Sequence, residues 1–167
     1  MIRKHGAAMN ISREIAPYLP FLRRYARALC GSQKSGDAYV AATLEALIAD
    51  PEAFPLHLTP KVGLYRLFMT SWSSIAVNVE APETEEIESQ AQHTISNLTP
   101  RSRQAFLLKT VENFSLEETA QILDVSVADI ERLILDAGQE IAALVATDVL
   151  IIEDEALIAQ DLQFIVR

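Results

Sequence analysis

A chain of 167 residues, half of them hydrophobic, is long enough for one or two small domains with a packed core, which excludes global disorder. Its 5 glycines and 7 prolines exclude a collagen-like or low-complexity chain, and its single cysteine, Cys30, excludes a disulfide framework or a cysteine-based zinc site. The net charge of −9 is uneven: residues 1–79 carry nine basic and five acidic side chains, whereas residues 80–167 carry five basic and eighteen acidic ones, so the second half is not expected to approach a nucleic-acid backbone.

The first two predicted helices lie in residues 12–49. Apolar residues recur at spacings of three or four from about Ser12 to Leu29, and Gly31 is expected to end this helix. A second helix is expected from about Ser35 to Ala49, with Pro51 at its end. Its inward positions are Val40, Thr43, Leu44, Leu47 and Ile48.

Three arginines of the first helix, Arg23, Arg24 and Arg27, lie off its apolar face. We expect them to form a solvated surface. The alternative is an electrostatic contact with an acidic stretch of a partner or of a following domain.

The third helix begins at Thr59-Pro60, because threonine accepts bonds from the unpaired first amides and proline fits the first turn. Residues 80–92 contain five glutamates and no basic residue, which predicts a solvated linker, with a binding tail as the alternative. We therefore expect a helical unit at 1–79, an acidic linker at 80–94 and a second helical unit at 95–147.

The second unit contains the pattern of a helix-turn-helix. A helix is expected from Pro100 to Glu112, and the capping box that starts at Ser115 predicts a short helix after it. Asp124-Val125 forms a turn, and Ser126 caps a longer helix. Two helices of roughly eight and eighteen residues joined by a tight turn are typical of this motif.

The last residues, 148–167, have a different hydrophobic pattern from the helical segments before them. Val149–Ile152 is a continuous apolar run that predicts a buried strand, and a helix is expected from Ala156. Because a single strand cannot form a sheet, this segment is expected to be the start of a larger α/β domain. The predicted fold class is thus all-α, two helical units followed by a strand–helix fragment.

Neither an enzyme nor a membrane protein is expected. His5, His57 and His93 lie far apart, and the sequence has no Ser/His/Asp order or phosphate-binding glycine loop. A charged amino terminus and the lack of a long apolar run predict a cytoplasmic protein without a signal peptide.

The segment SLEETAQILDVSVADIERLILDA resembles the helix-turn-helix of region 4 in extracytoplasmic-function sigma factors. The matching residues are Glu118, Ala120, Val125-Ser126, Ile130 and Leu133. Residues 12–49 resemble sigma region 2, and VLIIEDEALIAQDLQFIV resembles the opening of a receiver domain. This order resembles that of the PhyR-type response regulators.

The resemblance implies a protein that switches partners in the general stress response. Phosphorylation of the receiver releases the sigma-like domain, which then captures an anti-sigma factor of the NepR type. By this resemblance, residues 148–167 are expected to be the truncated start of that receiver. Glu153 and Asp154 are implied ligands of Mg²⁺ in an intact receiver, and no cofactor is expected in this chain. The implied partners are the anti-sigma factor and the receiver, without specific DNA or a membrane.

The charge of the helix-turn-helix agrees with this reading. Residues 116–145 contain seven acidic side chains and one basic one, Arg132, whereas DNA-reading motifs place lysine and arginine on phosphates. One alternative stays open, a true sigma factor that binds promoter DNA and RNA polymerase. A third hypothesis, a phosphotransfer protein acting through the tail, fails for this chain because the acceptor aspartate is absent.

The predicted partner site is an apolar groove between the two units, in which an amphipathic helix of the anti-sigma factor lies. The candidate lining residues are Leu44, Leu47, Leu107, Leu108 and Ile134.

Overall fold

The computed structural model describes residues 10–76 and 98–145, and within these ranges the chain is helical and has no strand. Its α-helices are α1 (Leu19–Cys30), α2 (Gln33–Ala49), α3 (Pro60–Ala76), α4 (Pro100–Thr110), α5 (Leu116–Leu123) and α6 (Val127–Val145). A helical turn at 10–15 precedes α1, and two short 3₁₀ segments are Ala16–Tyr18 and Pro51–Ala53. The predicted linker and the predicted strand–helix fragment lie outside the described residues.

The single helix predicted from Ser12 to Leu29 is wrong, because the chain is broken into a helical turn, a 3₁₀ segment and α1. Pro17 and Pro20 stand at the starts of the second and third pieces. Proline has no N–H to donate and clashes with the preceding turn, so a continuous helix cannot pass through both positions. The predicted apolar face survives the break, since Ile15 and Leu22 are both buried.

The predicted helix ends are confirmed where a local side chain or a glycine determines them. Gly31 ends α1 in the left-handed region, at φ +68°. The Ser115 hydroxyl accepts the Glu118 N–H at 3.1 Å, and the Glu118 carboxylate accepts the Ser115 N–H at 2.8 Å. Ser126 likewise accepts the N–H of Asp129 at 3.1 Å. These caps set the two helices of the helix-turn-helix in the predicted register.

An aromatic cluster forms the centre of the core. The ring of Tyr25 on α1 lies 5.4 Å from that of Tyr65 and 6.0 Å from that of Phe68, both on α3. Phe114, which follows α4, meets Tyr65 edge-on at 4.9 Å. All four side chains are fully buried, so one core extends across both helical units.

Polar contacts also join the two units. Arg66 on α3 contacts α5 and its turn, donating to the Gln121 carbonyl at 2.8 Å and to the Asp124 carboxylate at 2.8 Å. Arg103 on α4 donates to the Leu29 carbonyl at 3.2 Å, near the last turn of α1. The units therefore pack against each other directly.

The arginines of α1 do not form the free solvated surface expected from the sequence. Arg23 and Arg27 both form ion pairs with Asp37 on α2, and their Nη2 atoms lie 2.9 and 2.7 Å from its Oδ2. We call this pair of contacts the Asp37 fork. Hydrogen bonds from these two guanidinium groups hold the pKa of Asp37 well below its ordinary range. Arg24 is also engaged, with Glu112 of the second unit. Sequence reasoning missed these partners because α2 and the α4–α5 corner are brought to α1 only by folding.

The Asp37 fork predicts an acid-sensitive contribution to stability. Because the folded pKa lies below the unfolded value of about 3.9, the contribution is present at neutral pH and is lost as the pH falls through and below that value. Asp37→Asn is therefore expected to lower the urea midpoint at pH 7. The difference in urea midpoint between the variant and the wild type should be smaller at pH 3. Glu45→Gln, on the exposed face of the same helix, is the control. A difference in urea midpoint that stayed constant with pH would contradict this assignment.

Candidate partner-binding surface

An apolar cavity of about 200 Å³ opens to solvent where residues 10–15 pack against the carboxyl-terminal half of α2. Its lining residues are Ile11, Ser12, Ile15, Leu19, Leu44, Leu47, Ile48 and Pro51. The cavity is smaller than the ~300–1000 Å³ of typical small-molecule sites. Its size and apolar lining suit a single large side chain presented by another protein.

Ile48 marks the edge of this cavity. The sequence predicts it to face the core, but the structure leaves it 74% exposed, so that prediction is wrong. The buried face of α2 instead consists of Gly36, Val40, Thr43 and Leu47. Ile48 lies one residue from the end of α2, where no described element covers it, and therefore presents its side chain beside the cavity.

The five predicted partner-binding residues do not line one groove. Leu44 and Leu47 line the cavity, Leu44 half-buried and Leu47 buried. Leu107 and Leu108 are fully buried, so the prediction that they line a groove is wrong. The reason is that α4 is a central helix that packs against α1, α5 and α6, which leaves it little free surface. Ile134 is half-buried against the core, away from the cavity lining, and its role in binding stays a prediction.

The outer surface of the helix-turn-helix is acidic and partly apolar. Glu131 is exposed on α6, and Leu135 one turn further is 62% exposed. Arg132, the single basic residue of α5 and α6, is held at 2.8 Å by Asp129 one turn before it. The described helix-turn-helix therefore offers a phosphate backbone no unpaired cation to replace its counterions.

One acidic residue of α6 has a structural role instead. The Glu140 carboxylate accepts the Thr99 N–H at 2.7 Å and the Thr99 hydroxyl at 3.1 Å. Thr99 is the amino-terminal cap of α4 but makes no side-chain bond to that helix's own amides. Glu140 thus anchors the start of α4 to α6, a carboxylate at the positive end of the helix dipole.

The corner between α4 and α5 inserts into the first unit through Glu112. Its side chain is 1% exposed, and its Oε1 accepts from Arg24 Nη2 at 2.9 Å and Nε at 3.1 Å. The Tyr65 hydroxyl donates to Oε2 at 2.8 Å. Lys61 donates to the Glu112 carbonyl at 3.1 Å. Both carboxylate oxygens are therefore satisfied by α1 and α3 of the first unit.

Neighbouring residues complete this corner. The Lys61 ammonium lies 4.0 Å from the ring centre of Phe114, and Asn113 between the two buried residues has a φ of +58°. The left-handed turn at Asn113 lets Glu112 and Phe114 both point into the first unit. Sequence reasoning missed Glu112, because Arg24 and Tyr65 are 88 and 47 residues away along the chain.

The other candidate groups have packing roles. Burial raises the pKa of the Cys30 thiol to about 11, so the thiol is protonated at neutral pH and is a poor nucleophile. Trp72 packs against the core with its ring centre 6.5 Å from that of Tyr39. No group of three or more metal-binding side chains occurs in residues 10–76 and 98–145. Glu153 and Asp154 lie outside the described residues.

None of the described helices combines the length and apolar character needed to cross a bilayer.

Comparison with known protein families gives two matches. Residues 15–69 match the family described as the sigma2 domain of PhyR. Residues 95–143 match the family described as the sigma-like domain of the response regulator PhyR. The two matches lie on either side of the predicted acidic linker.

Individual relatives agree with the family matches. The chain is 46% identical to the phyllosphere-induced regulator PhyR of Methylorubrum extorquens over 95% of its own length and 59% of that protein. It therefore spans less than two thirds of the length of this relative. The name of this relative describes a regulator.

Two solved complexes have the same fold. One is the anti-anti-sigma factor PhyR with the anti-sigma factor NepR from Bartonella quintana, at 43% identity and a TM-score of 0.76, with 93% of this chain and 58% of that one covered. The other is the PhyR sigma-like domain–NepR complex of Sphingomonas sp. Fr1, at 38% identity and a TM-score of 0.70, with 87% of this chain and 96% of that one covered.

Proposed function

This chain belongs to the PhyR family, and we propose that it is a sigma-factor mimic, an anti-anti-sigma factor that sequesters an anti-sigma factor of the NepR type. Capture of the anti-sigma factor frees the true sigma factor for the general stress response. In a full-length protein with an intact receiver, phosphorylation of the receiver gates this capture. Glu153 and Asp154 would then hold Mg²⁺ in that receiver.

The observation that carries the proposal is the acidic surface of a helix-turn-helix that retains its fold. A true sigma factor gains much of its promoter affinity by neutralising phosphates with basic side chains. Here the exposed side of α6 carries Glu131 and Leu135, and Arg132 is already paired with Asp129. The charge therefore favours a protein partner over promoter DNA, against the sigma-factor alternative.

The partner site that we propose in the first unit is the apolar cavity at the end of α2. Leu44 and Leu47 line it and Ile48 extends it toward solvent, so an amphipathic helix can place one large apolar side chain there. The exposed residue Asp50 carries a carboxylate next to Pro51, which also lines the cavity. A partner helix with basic residues beside its apolar face fits this charge.

Calorimetric titration with NepR of Bartonella quintana tests the proposal. We expect one NepR to bind per chain, and Ile48→Asp to weaken binding at least tenfold, or about 1.4 kcal/mol, because it places a carboxylate against the partner's apolar face. Leu56→Asp is the matched control: Leu56 is 76% exposed but does not line the cavity. Both substitutions are at exposed positions, so both variants should fold.

Two outcomes would count against this assignment. Absence of NepR binding by the wild-type chain would contradict the proposed function. Equal losses of affinity for NepR in Ile48→Asp and Leu56→Asp would contradict the assignment of the partner site to this cavity.

A further inference from the structure

We propose that Glu112 is a positioning residue for partner binding: its buried carboxylate fixes the second helical unit against the first in the orientation that the anti-sigma partner recognises. The inference rests on the proposed function, because it assigns a role in binding to a residue that lies inside the molecule. Its evidence is the contact between the α4–α5 corner and the socket that α1 and α3 form around it.

All of the hydrogen bonds to the Glu112 carboxylate come from the first unit. Arg24 of α1 takes Oε1, and Tyr65 of α3 takes Oε2. A third hydrogen bond from Arg24 reaches the carbonyl of Val111 at 3.2 Å, and Lys61 donates to the Glu112 carbonyl. Three donors on two helices thus fix both the position of the corner and its rotation.

The hydrogen bonds of Glu112 favour one particular orientation of the two units. A buried carboxylate is tolerated only where its oxygens meet donors, so a shifted packing of the two units would leave Glu112 buried and unpaired. If the units separate, Glu112, Arg24 and Tyr65 all regain hydrogen bonds with water. A shifted packing that leaves Glu112 buried and unpaired is therefore less favourable than separation of the two units.

Chain connectivity does not impose this orientation. Residues 77–97 join the two units, and a stretch of that length can span several tens of ångströms when extended. The length of this connection therefore does not fix the relative orientation, and the described contacts between the units contribute to it. A partner that touches both units binds only the fraction of molecules in the locked orientation, and its apparent affinity falls in proportion to that fraction.

Distance measurement and binding measured on the same variants test this inference. Spin labels at Ala41 on α2 and Ala142 on α6, both exposed, report the separation of the units by pulsed electron resonance in a Cys30→Ala background. The wild type should give one distance population. Glu112→Ala should add a second population and weaken the binding of Bartonella quintana NepR by roughly tenfold or more.

The quantitative expectation separates positioning from a general loss of stability. The fold-loss in affinity should equal the reciprocal of the fraction that remains in the wild-type distance population. Tyr65→Phe, which removes one hydrogen bond and keeps the ring, should give a smaller change in both measurements and covers the case in which Glu112→Ala does not fold. Glu117→Ala removes an exposed glutamate of α5 and should change neither.

The contradicting results are distinct from failure of the proposed function. Weaker NepR binding with an unchanged distance distribution in Glu112→Ala would overturn the positioning role, and so would wild-type affinity in both variants. If the wild-type chain does not bind NepR, the proposed function fails. In that case, a single distance population in Glu112→Ala would overturn the orientation lock as well.

Discussion

Replacing Gly36 by alanine is expected to push α1 and α2 apart and to lower the free energy of unfolding by about 2–3 kcal/mol. Gly36 is buried in α2, and an added Cβ would lie 2.6 Å from the backbone N and 2.7 Å from the Cα of Arg27 on α1. Backbone atoms cannot rotate away as a side chain can, so the helices themselves must move. The Asp37 fork lies next to this contact and would be strained with it.

Gly138→Ala is the matched control, because Gly138 is a helical glycine with nothing within 4 Å of an added Cβ. Alanine there should raise the free energy of unfolding by about 0.5–1 kcal/mol through its better helix propensity. Urea unfolding of the two variants gives the comparison. Destabilisation of the same size at both positions would mean that helix packing at Gly36 is not what the substitution disturbs.

Phe114→Ala is expected to lower the free energy of unfolding by about 3–5 kcal/mol, the usual range for truncating a buried phenylalanine. The ring is 1% exposed, contacts Tyr65 edge-on and lies under the Lys61 ammonium. Because these contacts join the two helical units, the wild type should unfold in one calorimetric transition. The variant should show a lower midpoint, with the two units less strongly coupled.

Val111→Ala provides the comparison at the same corner. Val111 is 37% exposed, so its truncation removes little buried surface and should cost about 1 kcal/mol or less. Two well-separated transitions in the wild-type chain would show that the units fold independently, contrary to this account. Equal midpoints for the two variants would show that Phe114 does not couple them.

The helix ends were predictable because their causes are local. Ser115 and Glu118 cap each other across three residues, and Gly31 ends α1 through its own left-handed backbone conformation. The break before α1 was also visible in the sequence, at Pro17 and Pro20, but the apolar periodicity concealed it. Local rules therefore describe the elements well when the proline positions are included.

The contacts between elements were not predictable in this way. Glu112 looks like any polar residue after a helix, and its donors come from residues far away in the sequence. Leu107 and Leu108 carry the same apolar signal as Leu44, yet only the fold decides that α4 is central and that the end of α2 is open. Hydrophobicity alone does not distinguish a core position from a docking surface.

The charge of α6, in contrast, could be read from the sequence and bears most directly on function. Acidic side chains on the outer face of α6 remain repulsive to DNA whatever the details of packing. The structure adds that Arg132 is paired and that Glu140 is committed to the start of α4. The scaffold of a DNA-binding motif is thus retained on a surface that suits a protein partner.

The most direct test of this account is one sedimentation-velocity experiment at physiological salt, in which the chain is mixed with NepR of Bartonella quintana carrying one dye and a bacterial promoter duplex carrying another. The account predicts that NepR sediments with the chain and that the duplex sediments alone. Co-sedimentation of the duplex with the chain, with NepR left free, would contradict it.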